Sequence, residues 1–381
     1  MKRIIIIIFL VIIWMISSEF FFDTTSTSMH PVVYLQKGSA DAQDYNGDGL
    51  LDLITGGLTV SESPILLLYH HNATGGFYSV TNAVTFPDGL PQGFFYGRVA
   101  FVDVDGNGIV DFFYAGMVDM KNFVHVTALF VQKGLGVFSD ASSIFFPNNG
   151  LVQTGMAFFD FSPAEKDLLL IGYNINTTYY HFNQSSQTFV DVTSVAFAGA
   201  GIVRPYVSFG NVLWSPTPFN GELSCFLLLG VYYAKIYRQN TSGLFFDITN
   251  GETFPGLYFW LFGAYAPSSR WADVDSNGLQ DFFFTSYYYG PFFMLQEEPE
   301  KFYNIFFYRS TKQTEYQLGF GMVDFVDFNG DGRLDLLYGG YAVHEGMSNI
   351  YLFYQLPNAT YDWTVESLAS LLPPAVQLTG I

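Results

Sequence analysis

Short apolar runs alternate with polar clusters along most of the chain, at the lengths that suit strands and turns. One kind of run is aliphatic and aromatic and ends in glycine: Leu51–Gly56, Val110–Gly116, Leu168–Gly172, Leu223–Gly230 and Leu334–Gly339. An aromatic-rich run follows each: Leu66–His70, Ala128–Val131, Thr178–Phe182, Ala234–Arg238 and Ile350–Tyr354, with Ile305–Tyr308 in the fifth place. Phe77–Thr81, Phe189–Thr193 and Phe245–Thr249 then repeat an aromatic residue, a polar residue and a threonine. Aromatic–glycine pairs open a fourth kind of segment, at Tyr96-Gly97, Phe209-Gly210 and Phe320-Gly321. Runs of this length, rich in β-formers and bounded by Gly, Asn, Asp and Ser, read as strands. No long stretch keeps a helical period of apolar residues. The pattern predicts an all-β chain of repeated four-stranded antiparallel units.

Between the first and second strands of a unit lies an acidic loop. Its fullest copy is Asp327-Phe328-Asn329-Gly330-Asp331-Gly332-Arg333-Leu334-Asp335. The same frame holds Asp44, Asn46, Asp48 and Asp52, then Asp103, Asp105, Asn107 and Asp111, then Asp273, Asp275, Asn277 and Asp281. Oxygen-bearing side chains at positions 1, 3, 5 and 9, with glycine at position 6, suit a hard cation such as Ca²⁺, which gathers oxygens at about 2.3–2.6 Å. Position 7, held by Leu50, Ile109, Leu279 or Arg333, offers a backbone carbonyl to the set. An EF-hand would need flanking helices and a Glu at position 12, where this loop has Tyr338. Two copies are degenerate: Asp160–Asp167 is one residue short, and Pro216–Ser224 has no carboxylate at positions 1, 3 and 9. The loops, numbered 1 to 6 below, begin at residues 44, 103, 160, 216, 273 and 327, steps of 59, 57, 56, 57 and 54. A near-constant period of that size marks a repeat architecture. Four short strands per period predict a β-propeller of six four-stranded antiparallel blades, with a seventh blade as an alternative.

These residues resemble a known family. The loop pattern, the preceding aromatic–glycine pair and the trailing Phe-x-Asp-x-Thr hairpin are similar to FG-GAP/VCBS repeats, which build the calcium-binding β-propeller of integrin α subunits. Leu261-Phe262-Gly263-Ala264-Tyr265-Ala266-Pro267 comes near the motif that names the family. The resemblance implies about four structural Ca²⁺ ions and a module that binds or adheres to extracellular ligands.

The ends of the chain read differently. Met1-Lys2-Arg3 precedes thirteen apolar residues, Ile4 to Ile16, a signal-peptide layout over residues 1–18. An uncleaved signal anchor is the alternative. Residues 19–31 are a lead-in with a candidate closing strand, residues 32–366 the propeller, and residues 367–381 a tail. Asn-x-Ser/Thr sequons at Asn72, Asn176, Asn183, Asn240 and Asn358 agree with secretion and N-glycosylation.

Composition narrows the choice further. The chain has 381 residues; 50% are hydrophobic, 19% aromatic and only 13% charged, enough to bury a large core. The formal net charge is −19, and four Ca²⁺ would bring it to −11 (−19 plus 8), which argues against nucleic acid or anionic membrane as a partner. The one cysteine, Cys225, falls in an apolar run and reads as a strand residue. The six histidines show no paired metal spacing, and His70, His71 and His181 read as blade residues. No catalytic constellation is found, so a binding protein is expected rather than an enzyme.

In a four-stranded blade the acidic loops and the turns between third and fourth strands lie at one end. Asn72, Asn183, Asn240 and Asn358 fall in those turns, so predicted glycans crowd the acidic end. The opposite end becomes the candidate ligand face, with Tyr258, Trp260, Tyr287, Tyr288 and Tyr289 as candidate contacts. An extracellular protein is the expected ligand. A glycan, as for a lectin-like propeller, and a polysaccharide-acting enzyme on the same scaffold are the alternatives.

Overall fold

A first-strand glycine explains how three of the sheets begin, and in two of them it belongs to an aromatic–glycine pair. The first strand carries a register shift between Gln36 and Ser39, between Phe95 and Arg98, and between Gly319 and Met322. The shifts bracket Gly38, Gly97 and Gly321. A Cβ on Gly38 would stand 2.2 Å from the carbonyl oxygen of Gly56, and one on Gly97 would stand 2.0 Å from that of Ala115. Glycine is therefore required because the second strand's backbone passes too close for any side chain.

The computed structural model describes residues 29–30, 36–59, 61–73, 76–119, 121–122, 124–145, 155–162, 165–171, 178–183, 185–186, 188–198, 211–214, 225–230, 233–240, 242–249, 269–284, 292–299, 301–304, 318–327, 330–342 and 347–357. Within these residues the chain forms six small sheets. Sheet 1 contains Gln36–Gln43, Asp52–Leu58, Pro64–His71 and Phe77–Ser79 in chain order, with Met29–His30 added parallel beside Phe77–Ser79. Sheet 2 contains Phe95–Val102, Asp111–Asp119, Val124–Gly134 and Val137–Asp140, and sheet 3 contains Gly155–Ser162, Glu165–Ile171, Thr178–Asn183 and Thr188–Asp191. Sheet 4 contains Asn211–Trp214, Cys225–Gly230, Tyr233–Gln239 and Phe245–Asp247. Sheet 5 contains Ser269–Ala272, Asp281–Phe284, Phe292–Glu298 and Lys301–Asn304, and sheet 6 contains Leu318–Val326, Asp335–Ala342 and Met347–Phe353.

The protein is thus all-β. Five of the sheets are antiparallel β-propeller blades of three or four strands, and sheet 1 is the same meander widened by a parallel strand. The expectation of six or seven four-stranded blades is corrected: five blades of three or four strands form among the described residues, and sheet 1 differs because Met29–His30 of the N-terminal lead-in pairs with Phe77–Ser79. A second correction concerns the fifth repeat. Its third strand is Phe292–Glu298, paired as Phe282↔Met294, rather than Ile305–Tyr308. Both runs carry the same aromatic signal, and residues 305–308 lie outside the described residues.

Contacts divide the chain into two units, Met1–Val192 with sheets 1 to 3 and Thr193–Ile381 with sheets 4 to 6. In the first unit, neighbouring sheets bury their faces against each other. Alternate residues of Asp111–Asp119 point to opposite sides. Phe112 and Tyr114 join a cluster with Ile54 and Leu68 of sheet 1, whereas Phe113 and Ala115 join one with Leu168 and Leu170 of sheet 3. A second strand buried on both faces reads as a continuous apolar run instead of an alternating one. In the second unit, Phe283 and Phe293 of sheet 5 pack with Leu336 and Tyr338 of sheet 6 in the same way.

The first strands also bond between sheets. Phe101 donates its amide to Asp41 Oδ2 at 2.8 Å, and Arg270 Nε pairs with Asp324 Oδ1 at 3.2 Å. A buried fourth-strand phenylalanine marks the register of five sheets: Phe77, Phe138, Phe189, Phe245 and Phe302. Replacing Gly97 by Ala should lower stability by about 2–3 kcal/mol, since the new methyl meets backbone rather than a movable side chain. A thermal midpoint equal to that of the unaltered protein would refute this account of the aromatic–glycine pair.

Candidate metal centre

Each intact loop is wound around its first aspartate. Asp44 accepts the amides of Gly47, Asp48 and Gly49 at 2.7, 3.1 and 2.7 Å. Asp327 accepts those of Gly330, Asp331 and Gly332 at 2.8, 3.0 and 2.9 Å. Asp103 and Asp273 hold Asn107 with Gly108 and Asn277 with Gly278 in the same way, at 2.9–3.0 Å. The tight winding needs left-handed backbone at positions 4 and 6, where glycine carries no steric cost. Gly47 and Gly49 have φ of 78° and 84°. In loop 5, position 4 is Ser276, held at φ 59° without that freedom.

The ninth position closes the loop onto the sheet. Asp52, Asp111, Asp281 and Asp335 at that position, and Asp167 at the eighth residue of the short third copy, are all completely buried. Each carboxylate ties strands together. Asp111 accepts the amides of Val104 at 3.0 Å and Gln132 at 2.8 Å, and Asp281 accepts those of Val274 at 2.8 Å and Gln296 at 2.7 Å. Asp52 and Asp335 accept from His71 and Gln355, both at 2.9 Å. Burial pushes these carboxyls up from the ordinary 3.8, to about 7 for Asp111 and Asp281 and to about 6 for Asp52, against the opposing pull of the amide bonds. Burial likewise raises Asp275.

Buried glutamines join successive loops. Gln132 Nε2 donates to Val110 O of its own loop at 2.8 Å and to Tyr45 O of loop 1 at 3.2 Å. Gln355 Nε2 donates to Val274 O of loop 5 at 2.6 Å, while its Oε1 accepts the amide of Leu334 in loop 6 at 3.1 Å. These glutamines were not singled out from sequence. For Gln132 the signal is its place six residues before the buried fourth-strand Phe138, with which it pairs.

The six loops separate into kinds. In loops 2 and 5 three carboxylates converge: Asp103, Asp105 and Asp111, and Asp273, Asp275 and Asp281, each triad with oxygens within 4.8 Å of one another. Two oxygens on one Ca²⁺ stand at most about 5 Å apart, so both triads fit that ion, and their donors are the hard oxygens it takes. Asn107 and Asn277 lie in the same loops, but their side-chain oxygens accept the amides of Ile109 at 2.6 Å and Leu279 at 2.7 Å.

In loop 6 the guanidinium of Arg333 pairs with Asp331 Oδ2, and its Nε donates to Gln355 O at 3.0 Å. A fixed positive charge thus sits on a candidate ligand. In loop 1 the ring of His70 stands against Asp48, Asp52 and Asn46. His70 and His181 lie on third strands, as expected of blade residues, and each also faces a buried aspartate. The ladder places His181 opposite Asp167. His181 Nδ1 lies 2.8 Å from Asp167 Oδ1, and Tyr179 donates its hydroxyl to Asp167 Oδ2. The carboxyl of Asp167 is nonetheless raised, chiefly by burial.

In the degenerate loop 3 the strands pair up to Ser162↔Glu165, leaving two residues between them. Loop 4 lies outside the described residues. The ladder nevertheless pairs Cys225 with Arg238, seven residues before Phe245, where Val131 stands seven before Phe138. Cys225, rather than Ser224, takes the place of the buried aspartate.

Asn72, Asn183 and Asn240 sit where the third strand ends, and their side-chain oxygens accept amides of the following turn: Gly76 at 3.0 Å, Ser185 at 3.0 Å and Leu244 at 2.9 Å. Asn329, Asn176, Asn358, Tyr258, Trp260 and Tyr287–Tyr289 lie outside the described residues, as do residues 1–28 and 358–381. No helix among the described residues is long and apolar enough to cross a membrane.

Residues 44–114, which hold loops 1 and 2, match the model of the FG-GAP-like repeat. The chain carries an FG-GAP-like repeat. No match was found among curated proteins. Similar solved structures include a mutant of the Aleuria aurantia lectin in complex with alpha-methyl-L-fucoside, at 7% identity and a TM-score of 0.46, covering 91% of this chain and all of that one. A protein from Lactobacillus plantarum is similar at 9% identity and a TM-score of 0.48, covering 86% of this chain and 83% of that one. A putative exo-beta-1,3-galactanase from Bifidobacterium bifidum s17 is similar at 12% identity and a TM-score of 0.38, over 69% and 93% of the two chains. The FG-GAP-like repeat has here a physical reading: a bulged glycine strand, a loop wound on one aspartate and a buried aspartate that closes it.

Two predictions come from this geometry. Ser276→Gly should stabilise the protein by about 0.5–1 kcal/mol by relieving the left-handed strain, read as a higher thermal midpoint. The second concerns pH in the cation-free protein. A raised carboxyl favours the protonated fold, so its contribution is fully present below the ordinary 3.8 and is lost as pH rises through the folded value. Asp52, Asp111 and Asp281 should therefore take stability away between about pH 4 and pH 7. The Asp111→Asn, Asp281→Asn double variant should have a shallower slope of melting temperature against pH over that window; an unchanged slope would count against it.

Proposed function

We propose that the protein is a secreted, Ca²⁺-stabilised β-propeller module that binds an extracellular protein. The observation that carries the calcium part is the pair of carboxylate triads in loops 2 and 5. The buried aspartate of each triad resists ionisation in the bare fold. A doubly charged ion supplies the compensating charge, and that is the whole of its chemistry in this reading. The chain's own residues do the rest: Asp103 and Asp273 wind the loop, while Asp111 and Asp281 hold it to the third strand. These carboxylates are engaged by loop amides, which supports a binding role over acid–base catalysis.

The basic-then-apolar start and the sequons support secretion. Asn72 directly follows His71, whose amide bonds Asp52, so a glycan there would stand beside loop 1. The opposite ends of the sheets are then the face open to a partner, and Tyr258, Trp260 and Tyr287–Tyr289 are its proposed contacts.

Calcium added to EGTA-treated protein should raise the melting temperature by several degrees, and Asp105→Ala and Asp275→Ala should each remove one bound ion, counted by calorimetric titration. A melt indifferent to calcium would sink the structural-ion reading. Arg333→Leu should add calcium binding at loop 6 by removing the fixed positive charge beside Asp331, seen as one further ion per chain. For the partner, a pull-down of extracellular proteins should depend on Tyr287–Tyr289. Glycan-array binding with no protein captured would replace the protein ligand by a sugar.

A further inference from the structure

Position 5 of the acidic loop holds two kinds of residue. Loops 1 and 6 place an aspartate there, Asp48 and Asp331, whereas loops 2 and 5 place an asparagine followed by glycine, Asn107-Gly108 and Asn277-Gly278. With Asn46-Gly47 of loop 1, these are the three asparagine–glycine pairs among the described residues. Such a pair is open to attack by the glycine nitrogen on the asparagine side-chain carbonyl, because glycine puts no Cβ in the way and turns freely.

All three pairs share one turn. The asparagine Oδ1 accepts the amide two residues on: that of Asp48 at 2.9 Å, of Ile109 at 2.6 Å and of Leu279 at 2.7 Å. This bond draws the side-chain carbonyl across the intervening glycine nitrogen and polarises it. Against that, each glycine amide donates to the first aspartate of its loop, at 2.7 Å for Gly47, 2.9 Å for Gly108 and 3.0 Å for Gly278. A nitrogen stripped of its proton there would face a carboxylate, so the winding restrains all three pairs alike. The pairs differ in the side-chain nitrogen. Asn277 Nδ2 donates to Gln296 O of the third strand at 2.8 Å and to Asp275 Oδ2 at 3.1 Å. Asn46 Nδ2 donates to Asp48 Oδ2 at 3.3 Å and stands 2.7 Å from His70 Nδ1. Among the described residues nothing accepts from Asn107 Nδ2, and Asn107 is exposed.

We propose that Asn107 is a site of spontaneous intramolecular deamidation that gives loop 2 a fourth carboxylate, while tethers hold Asn46 and Asn277 back. Gly108 N gives up its proton and bonds to Asn107 Cγ. The Cγ–Nδ2 bond breaks, and Nδ2 leaves as ammonia carrying that proton, which closes a five-membered imide. Water then opens the imide, either at Cγ to give aspartate or at the main-chain carbonyl to give isoaspartate. No oxidant or reductant takes part. The aspartate product suits the fold, since the sister loops already hold one in the same turn: Asp48 Oδ1 accepts the amide of Leu50 at 2.8 Å, and Asp331 Oδ1 that of Arg333 at 2.9 Å. The new carboxylate would join Asp103, Asp105 and Asp111, and the count of ligand charges tunes the affinity of an oxygen site for calcium. That consequence rests on the reading of loop 2 as a cation site; the conversion itself does not.

The test is peptide mapping by mass spectrometry on folded, full-length protein held at mildly alkaline pH, with a urea-unfolded sample alongside. In the fold, Asn107 should convert several times faster than Asn277 or Asn46. In urea the three rates should converge, because the tethers are gone and the shared dipeptide governs all of them. Asn277 or Asn46 keeping pace with Asn107 in the fold, or an Asn107 excess that survives unchanged in urea, would overturn the proposal. Asn107→Asp serves as the product, and calorimetric titration should show it binding calcium several times more tightly than the unaltered protein. Equal affinity would refute the calcium consequence. Calcium binding by neither protein would instead be the failure of the structural-ion reading, and the mass measurement would still decide the conversion.

Discussion

A carboxylate with no access to water organises this protein. In five repeats an aspartate of the second strand is completely buried, and in the four intact loops it is where loop, second strand and third strand meet. Burying an ionised carboxylate without compensation costs several kcal/mol, so each repeat must supply donors or a positive charge. The surroundings of Asp52, Asp111, Asp167, Asp281 and Asp335 are different answers to that one demand. Backbone amides serve in every intact loop. A convergent acidic triad that suits a cation is added in loops 2 and 5, and a histidine with a tyrosine in the third repeat.

The same constraint links chemistry to packing. The strand that starts at the buried aspartate is the one buried on both faces, so loop geometry and core geometry share a backbone. Gln132 and Gln355 extend the link from one repeat to the next, because each reaches a loop carbonyl of the preceding repeat. Charge balance in a loop is therefore felt at the neighbouring sheet. That is a reason for aspartate, glycine and glutamine to recur where a free-standing Asx turn would tolerate much else.

Much of this was legible in the chain itself. The acidic loop is a local structure, wound by hydrogen bonds between residues three to five apart, so Asp44 with Gly47 and Gly49 announces it without help from the rest of the fold. The strand that follows is legible because burial on both faces makes it continuously apolar. The fifth repeat shows where this stops. Phe292–Glu298 and Ile305–Tyr308 are equally good strands by pattern, and only pairing with Phe282 and Phe283 separates them.

What the amino-acid sequence determined alone is the period, the all-β class and the acidic loops with their glycines, since each follows from patterns and contacts between near neighbours in the chain. The identity of the group facing each buried aspartate was decided by tertiary structure. His70 meets Asp52, His181 meets Asp167 and Arg238 stands opposite Cys225 across a strand ladder, and a ladder's register depends on which side chains pack on distant sheets. A shift of one residue would have turned those histidines away, which is why a pattern of strands could not say that they belong to the loops.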